Sequence, residues 1–172
     1  GLKSALRQDP DVIMIGEMRD AETIDTAMKA AETGHLLIST LHTADATATI
    51  NRIMAMFSPA EQQVVRIRMA ESLFAVISQR LVKRVDGKSR AVAAEVLINT
   101  PATKDMIIDG NRVGEIKDYM EAQKDQYGMQ SFDQALTDLV LSKQISFRAA
   151  MAGRPVRRPR ARRSWLAVYR RT

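Results

Sequence analysis

In the stretch DVIMIGEMRD (residues 11–20) a carboxylate, Glu17, stands directly behind four apolar residues and a glycine. A short, unbroken, β-branched-rich run suits a strand buried on both faces of a parallel sheet. Such a strand delivers the residue at its carboxyl end to the crevice where open α/β sheets bind ligands. A carboxylate held there can orient or deprotonate a water and support the water shell of a magnesium ion. Gly16 lets the backbone come close to whatever is bound. The competing reading is structural, a strand-end acid paired with Arg19, and the ten residues alone favour neither.

The two histidines, His35 and His42, bracket a second strand-like run, LLISTL. At about 3.3 Å per residue they lie roughly 20 Å or more apart, so they cannot share a metal. Seven positions apart on a strand, they also face opposite ways. His42 falls at the carboxyl end, on the sheet edge that carries Glu17, while His35 falls at the far end, where a structural role is the simpler reading. Thr40 and Thr43 add hydroxyls beside His42, a set suited to sensing a phosphate or the water that attacks it. The tripeptide Gly87-Lys88-Ser89 imitates the end of a phosphate-cradling loop. That loop needs a glycine five residues earlier, where this chain has Val82, so the tripeptide reads as a turn.

The elements that position these residues follow from periodicity. Asp20 can cap a helix whose apolar face is Ile24, Ala27, Met28 and Ala31, closed by Gly34. Ile50, Ile53, Met54 and Phe57 mark a second helix. Strand, helix, strand, helix at this spacing implies βαβ units. Ser58, Pro59 and Glu61 form a capping box with proline at the first helical position. Val65, Met69, Leu73, Ile77 and Leu81 recur in steps of four and predict one helix from there to about Arg84. Residues 91–98 read as a strand. Thr100-Pro101 opens a helix ending near Gly110, a polar helix is expected over 112–126, and Ser131 with Gln134 caps a last helix beginning at Phe132. The first ~100 residues thus read as α/β and residues 100–147 as helical.

Composition separates the body from the end. The 172 residues carry a net charge of +6, but residues 1–147 hold 17 Lys+Arg against all 20 Asp+Glu, a net −3, while residues 148–172 hold nine Arg and no acid. The basic character therefore belongs to the end of the chain. That segment reads either as a basic arm for nucleic acid or anionic lipid, with Trp165 and Tyr169 available for stacking, or as an atypical, disordered tail without function, and the second reading is preferred. The chain has no cysteine, which excludes disulfides and thiolate metal sites and fits a cytosolic protein. No apolar run approaches the ~20 residues of a membrane-spanning helix. The chain begins with glycine rather than methionine, and a processed or truncated chain is expected.

Residues 10–53, PDVIMIGEMRDAETIDTAMKAAETGHLLISTLHTADATATINRI, closely resemble the Walker B and His-box region of the secretion ATPases, the motors of type II secretion and type IV pili. SQRLVKR (78–84) and EVLINTPATKDMI (95–107) continue the resemblance. It implies the C-terminal half of a RecA-like P-loop ATPase domain, a parallel sheet with flanking helices over 1–99, then a helical subdomain over 100–147 and an Arg-rich tail over 148–172. The missing cysteines favour the pilus retraction (twitching motility) branch, the PilT/PilU family. VGEIKDYMEAQKDQYGMQSFDQAL (113–136) is similar to the PilU side of it.

The resemblance implies roles residue by residue. Glu17 matches the catalytic glutamate that activates the attacking water, and His42 the His-box histidine near the γ-phosphate. Gly16, Arg19, Asp20, His35 and Thr40 support the nucleotide site. The cofactors implied are ATP and Mg2+, the metal being supported through Glu17 and water rather than held by a direct ligand. The implied assembly is a homo-hexamer, or a co-motor with a related retraction ATPase, acting on an inner-membrane pilus platform protein. Its place is cytoplasmic and peripheral at the inner membrane, with no nucleic acid expected. Walker A and the acidic box are expected ahead of Gly1. Competing functions are a pilus assembly or type II secretion ATPase and, from another class, a nucleic-acid-binding module using the arginines.

Overall fold

The computed structural model describes residue 8, residues 10–153 and, over 164–169, the backbone. The chain opens with β1 (Val12–Ile15), α1 (Ala21–Glu32), β2 (Leu36–Leu41) and α2 (Ala46–Met54). β1 and β2 are parallel and in register from Val12 opposite Leu36 to Ile15 opposite Ser39, as the βαβ pattern requires. Asp20 caps α1 by accepting from the Thr23 amide at 2.8 Å. Gly34, at φ +100°, ends it in a conformation that favours glycine. Ile24, Ala27, Met28 and Ala31 are buried, as the spacing predicts. One expectation fails here. β1 is an edge strand that buries only Ile13, and Met14 is 71% exposed, because helices pack on one of its faces only.

The long helix expected from Ser58 to about Arg84 is two elements. α3 (Pro59–Ser72) has the capping box between Ser58 and Glu61, and β3 (Leu73–Lys83) follows without a loop. The apolar steps of four misled because four is also a multiple of the strand period of two. Beyond Leu73 the buried side chains are Ala75, Val76, Ser78, Arg80 and Val82, a plain alternation from Val76 onward. β3 pairs antiparallel with β4 (Arg90–Ile98). Between them Asp86 accepts from the amides of Lys88 and Ser89 at 2.9 and 3.1 Å, so the Gly-Lys-Ser tripeptide is the hairpin turn.

Helices follow: α4 (Pro101–Asp109), a 3-10 turn (Val113–Glu115), α5 (Ile116–Ala122), α6 (Lys124–Tyr127), α7 (Phe132–Leu141) and α8 (Phe147–Gly153). The single polar helix expected over 112–126 is broken at Gln123, whose φ of −105° and ψ of 19° leave the helical region. Ile107, Ile116 and Met120 share one apolar cluster with Ile13, Leu37 and Leu97, so sheet and helices have a common core across residue 100.

The end of the chain departs most from expectation. Residues 148–153 lie in α8, and β5 (Ser164–Tyr169) is a strand, not a disordered tail. It runs antiparallel between β2 and β3, giving the sheet order β1-β2-β5-β3-β4. SWLAVY is the one apolar, β-prone hexapeptide in an otherwise arginine-rich segment, and the gap between β2 and β3 is one strand wide. The sheet is therefore mixed: β1, β2 and β3 run one way, β5 and β4 the other. Of the segment 148–172 on which the nucleic-acid reading rests, residues 154–163 and 170–172 lie outside the described residues.

Candidate functional site

The carboxyl ends of β1 and β2 meet as the strand pattern requires. Thr40 ties the turn after β1 from two sides: its hydroxyl donates to the Gly16 carbonyl, and its own carbonyl accepts from the Met18 amide at 3.2 Å. This stitch sets Glu17 facing the end of β2. Arg19 reaches back with Nε and Nη2 to Glu17 Oε2 at 2.8 and 2.6 Å. His42 Nε2 lies 3.4 Å from the other oxygen, Oε1. Glu17 is 23% exposed, so the group is open to a ligand and to water. The Arg19 hydrogen bond, with the nearby Arg19 and His42 charges, holds the Glu17 carboxyl below the ordinary carboxylate range. Glu17 is thus a carboxylate at neutral pH, with one oxygen committed to Arg19 and one turned to the imidazole.

The structure brings Gly16, Glu17, Arg19, Thr40 and His42 together. Asp20 stands one step behind, as the cap of α1. His35 is elsewhere: its Nδ1 lies 3.0 Å from both the Thr33 hydroxyl and the Ala30 carbonyl, so it closes the end of α1 at the opposite sheet edge. Among the described residues no group of three His, Asp or Glu gathers that could hold a metal ion. One carboxylate with a neighbouring imidazole fits Mg2+ through its water shell, not by direct ligation.

Sequence reasoning missed a second polar group. On one face of the β3–β4 hairpin, Val76 and Leu97 belong to one apolar cluster and Val82, Ala91 and Ala93 to another. Between them lies a polar seam of Ser78, Arg80 and Glu95, all buried. Glu95 is 3% exposed and accepts from the Ala46 amide, at the start of α2, at 2.7 Å. Arg80 donates to the carbonyls of Ala44 at 3.0 Å and Gly153 at 3.3 Å, and its guanidinium sits 3.6 Å over the Phe132 ring. Burial pushes the Glu95 carboxyl up to about 7, and Asp45 adds to the rise; the Ala46 amide, Arg80 and the Phe132 amide oppose it. The available signal was an acid inside AAEVLI, a run otherwise built for burial.

The carboxyl ends of the parallel strands β1 and β2 thus carry an acid and a histidine, at the edge where open α/β sheets bind ligands. The family model for Type II/IV secretion system protein matches residues 1–146, and the chain belongs to that family. It is 47% identical over 149 residues to a twitching motility protein of Neisseria gonorrhoeae, covering 87% of this chain and 39% of the relative. It is 44% identical over 151 residues to the type IV pilus ATPase PilU of Pseudomonas aeruginosa, covering 88% of this chain and 39% of the relative. The two identities stand too close to rank a PilU-like chain over the rest of the retraction branch. A crystal structure of the pilus retraction motor PilT with bound ADP superposes with a TM-score of 0.79 at 41% identity, over 91% of this chain and 43% of that one. Over the residues matched, the fold is accordingly that of the corresponding part of a RecA-like P-loop ATPase. The chain spans about two fifths of the length of the relatives it matches.

Proposed function

We propose that this chain carries the water-activating edge of an ATP-hydrolysing motor for type IV pilus retraction and twitching motility. The observation that supports the reading most is the approach of His42 to Glu17 at adjacent strand ends, in a chain this similar to retraction ATPases. Glu17 would accept the proton of the attacking water and support the shell of Mg2+. His42 would hold the γ-phosphate side of that water, and Thr40 with Gly16 would fix the turn between them. Arg19 keeps Glu17 ionised, as a base must be. Mg2+ would supply charge neutralisation of the phosphates. The assembly that fits is a hexamer, or a co-motor with a related ATPase, acting on a pilus platform protein from the cytoplasmic side of the inner membrane.

The test is a chimera in which residues 1–153 replace the matching part of P. aeruginosa PilT. With Glu17 present it should turn over ATP. Glu17→Gln should keep ATP bound while turnover falls by about 10²–10⁴-fold; undiminished turnover would remove Glu17 from the role. The 172-residue chain by itself lacks the phosphate-cradling loop motif and should bind no ATP in calorimetry; micromolar binding would overturn that expectation.

A further inference from the structure

The loop after β2 carries His42 and then turns into α2 through Thr43, Ala44 and Asp45. It is fastened at two neighbouring points by the buried seam. Arg80 Nη2 takes the Ala44 carbonyl at 3.0 Å, and Glu95 Oε1 takes the Ala46 amide at 2.7 Å. A cation on the carbonyl side and a carboxylate on the amide side match the polarity of the backbone they hold. Both side chains also reach the helical part of the chain, Arg80 through the Gly153 carbonyl and the Phe132 ring and Glu95 through the Phe132 amide. They stand in adjacent strands of one hairpin, Ser78 opposite Glu95 and Arg80 opposite Ala93, and are 4% and 3% exposed. Burying two ionisable groups is costly unless something fixes them there. Asp45 adds a local cap, accepting from the Ala48 amide at 2.8 Å, but it is part of the loop and cannot anchor it to the sheet.

We infer that Arg80 and Glu95 are positioning residues for His42: a buried clamp, built on a different hairpin, that fixes the path of the 42–46 loop and so the imidazole against Glu17. That the imidazole serves a phosphate rests on the nucleotide reading above; the clamp itself does not. Because Arg80 also holds the Gly153 carbonyl at the end of α8 and lies on Phe132 at the start of α7, the clamp ties the helical part of the chain to the His42 loop.

The chain has only two histidines, so imidazole C–H resonances in NMR report on His42 with His35 as an internal control. No nucleotide is needed, and the outcome is independent of whether the site hydrolyses ATP. In the full 172-residue chain, Glu95→Ala should move the His42 resonances and raise amide exchange at residues 44–46 by about tenfold or more, with His35 unmoved. Glu95→Gln, which keeps an oxygen for the Ala46 amide, should restore the parent positions. Should Glu95→Ala not fold, Arg80→Lys, which keeps the charge but cannot span both carbonyls, carries the same comparison. His42 resonances and 44–46 exchange identical to the parent in a folded Glu95→Ala or Arg80→Lys chain would overturn the inference. So would an equal displacement of His35, which would mean a general loosening.

Discussion

Glu17 and Glu95 are the same side chain in two settings, and the fold drives them in opposite directions. Glu17 sits at an open strand end, paired with an exposed arginine, and its carboxyl is held low. Glu95 sits mid-strand between two apolar clusters, and burial carries it up to about 7 despite Arg80 and two backbone amides. The first is ionised and solvent-accessible, the state the proposed chemistry needs. The second is dressed for architecture: dry and satisfied by backbone donors. Environment, not residue type, assigns the roles.

The contrast can be broken from either side. The largest effect expected is on turnover, from Glu17→Gln in the PilT chimera, with little change in thermal midpoint because the site is open to water; a large loss of stability would make Glu17 structural after all. Next comes Arg80→Ala. It leaves the Ala44 and Gly153 carbonyls without that donor and Glu95 without its nearby cation, and should destabilise the chain by about 3 kcal/mol in urea unfolding.

Glu95→Gln should reshape the pH dependence. A carboxyl raised to about 7 from its ordinary 4.5 binds its proton longer in the folded chain. Its contribution is therefore fully present below about pH 4.5 and is lost as pH rises toward 7, at a cost of about 3 kcal/mol above that. The substitution should flatten that decline, read from urea midpoints at pH 5, 6 and 7.5; an unchanged slope would place the titration elsewhere. Smallest is Arg19→Ala. With Arg19 78% exposed, the unfolding midpoint should not move measurably, while the Glu17 carboxyl should titrate nearer its ordinary range by NMR.

How much was legible beforehand differs between these same regions. The site edge was readable because its signals are local: a strand-like run, a following acid, a histidine at the next strand end and a capping aspartate. Glu17, Arg19, Thr40 and His42 accordingly come together where the pattern put them. The seam was not readable, since it depends on a hairpin that the sequence disguised as a helix. Leu73, Ile77 and Leu81 satisfy a step of four, but of these only Leu73 is buried, and from Val76 on the side chains that go inside are Val76, Ser78, Arg80 and Val82. Charged and hydroxyl side chains on a buried face carry no hydrophobic signature, so only the pairing partner, β4, reveals that face. β5 failed for a related reason. Arginine density dominated the composition of residues 148–172, and the apolar hexapeptide within it has a partner only in tertiary structure, with Leu37 opposite Tyr169 and Val76 opposite Ala167.

β5 also decides how the sheet bears load. The ladder that joins the β1–β2 pair to the β3–β4 pair passes through this one strand, hydrogen-bonded on both sides. It is a keystone rather than an end stone. Taking an outer strand from a sheet leaves one raw edge, but lifting out this one leaves two, each with unpaired backbone groups ready to recruit another chain. A cut in the chain ahead of Ser164 would then register less as a loss of folding energy than as stickiness, the molecule turning from one continuous sheet into two smaller ones.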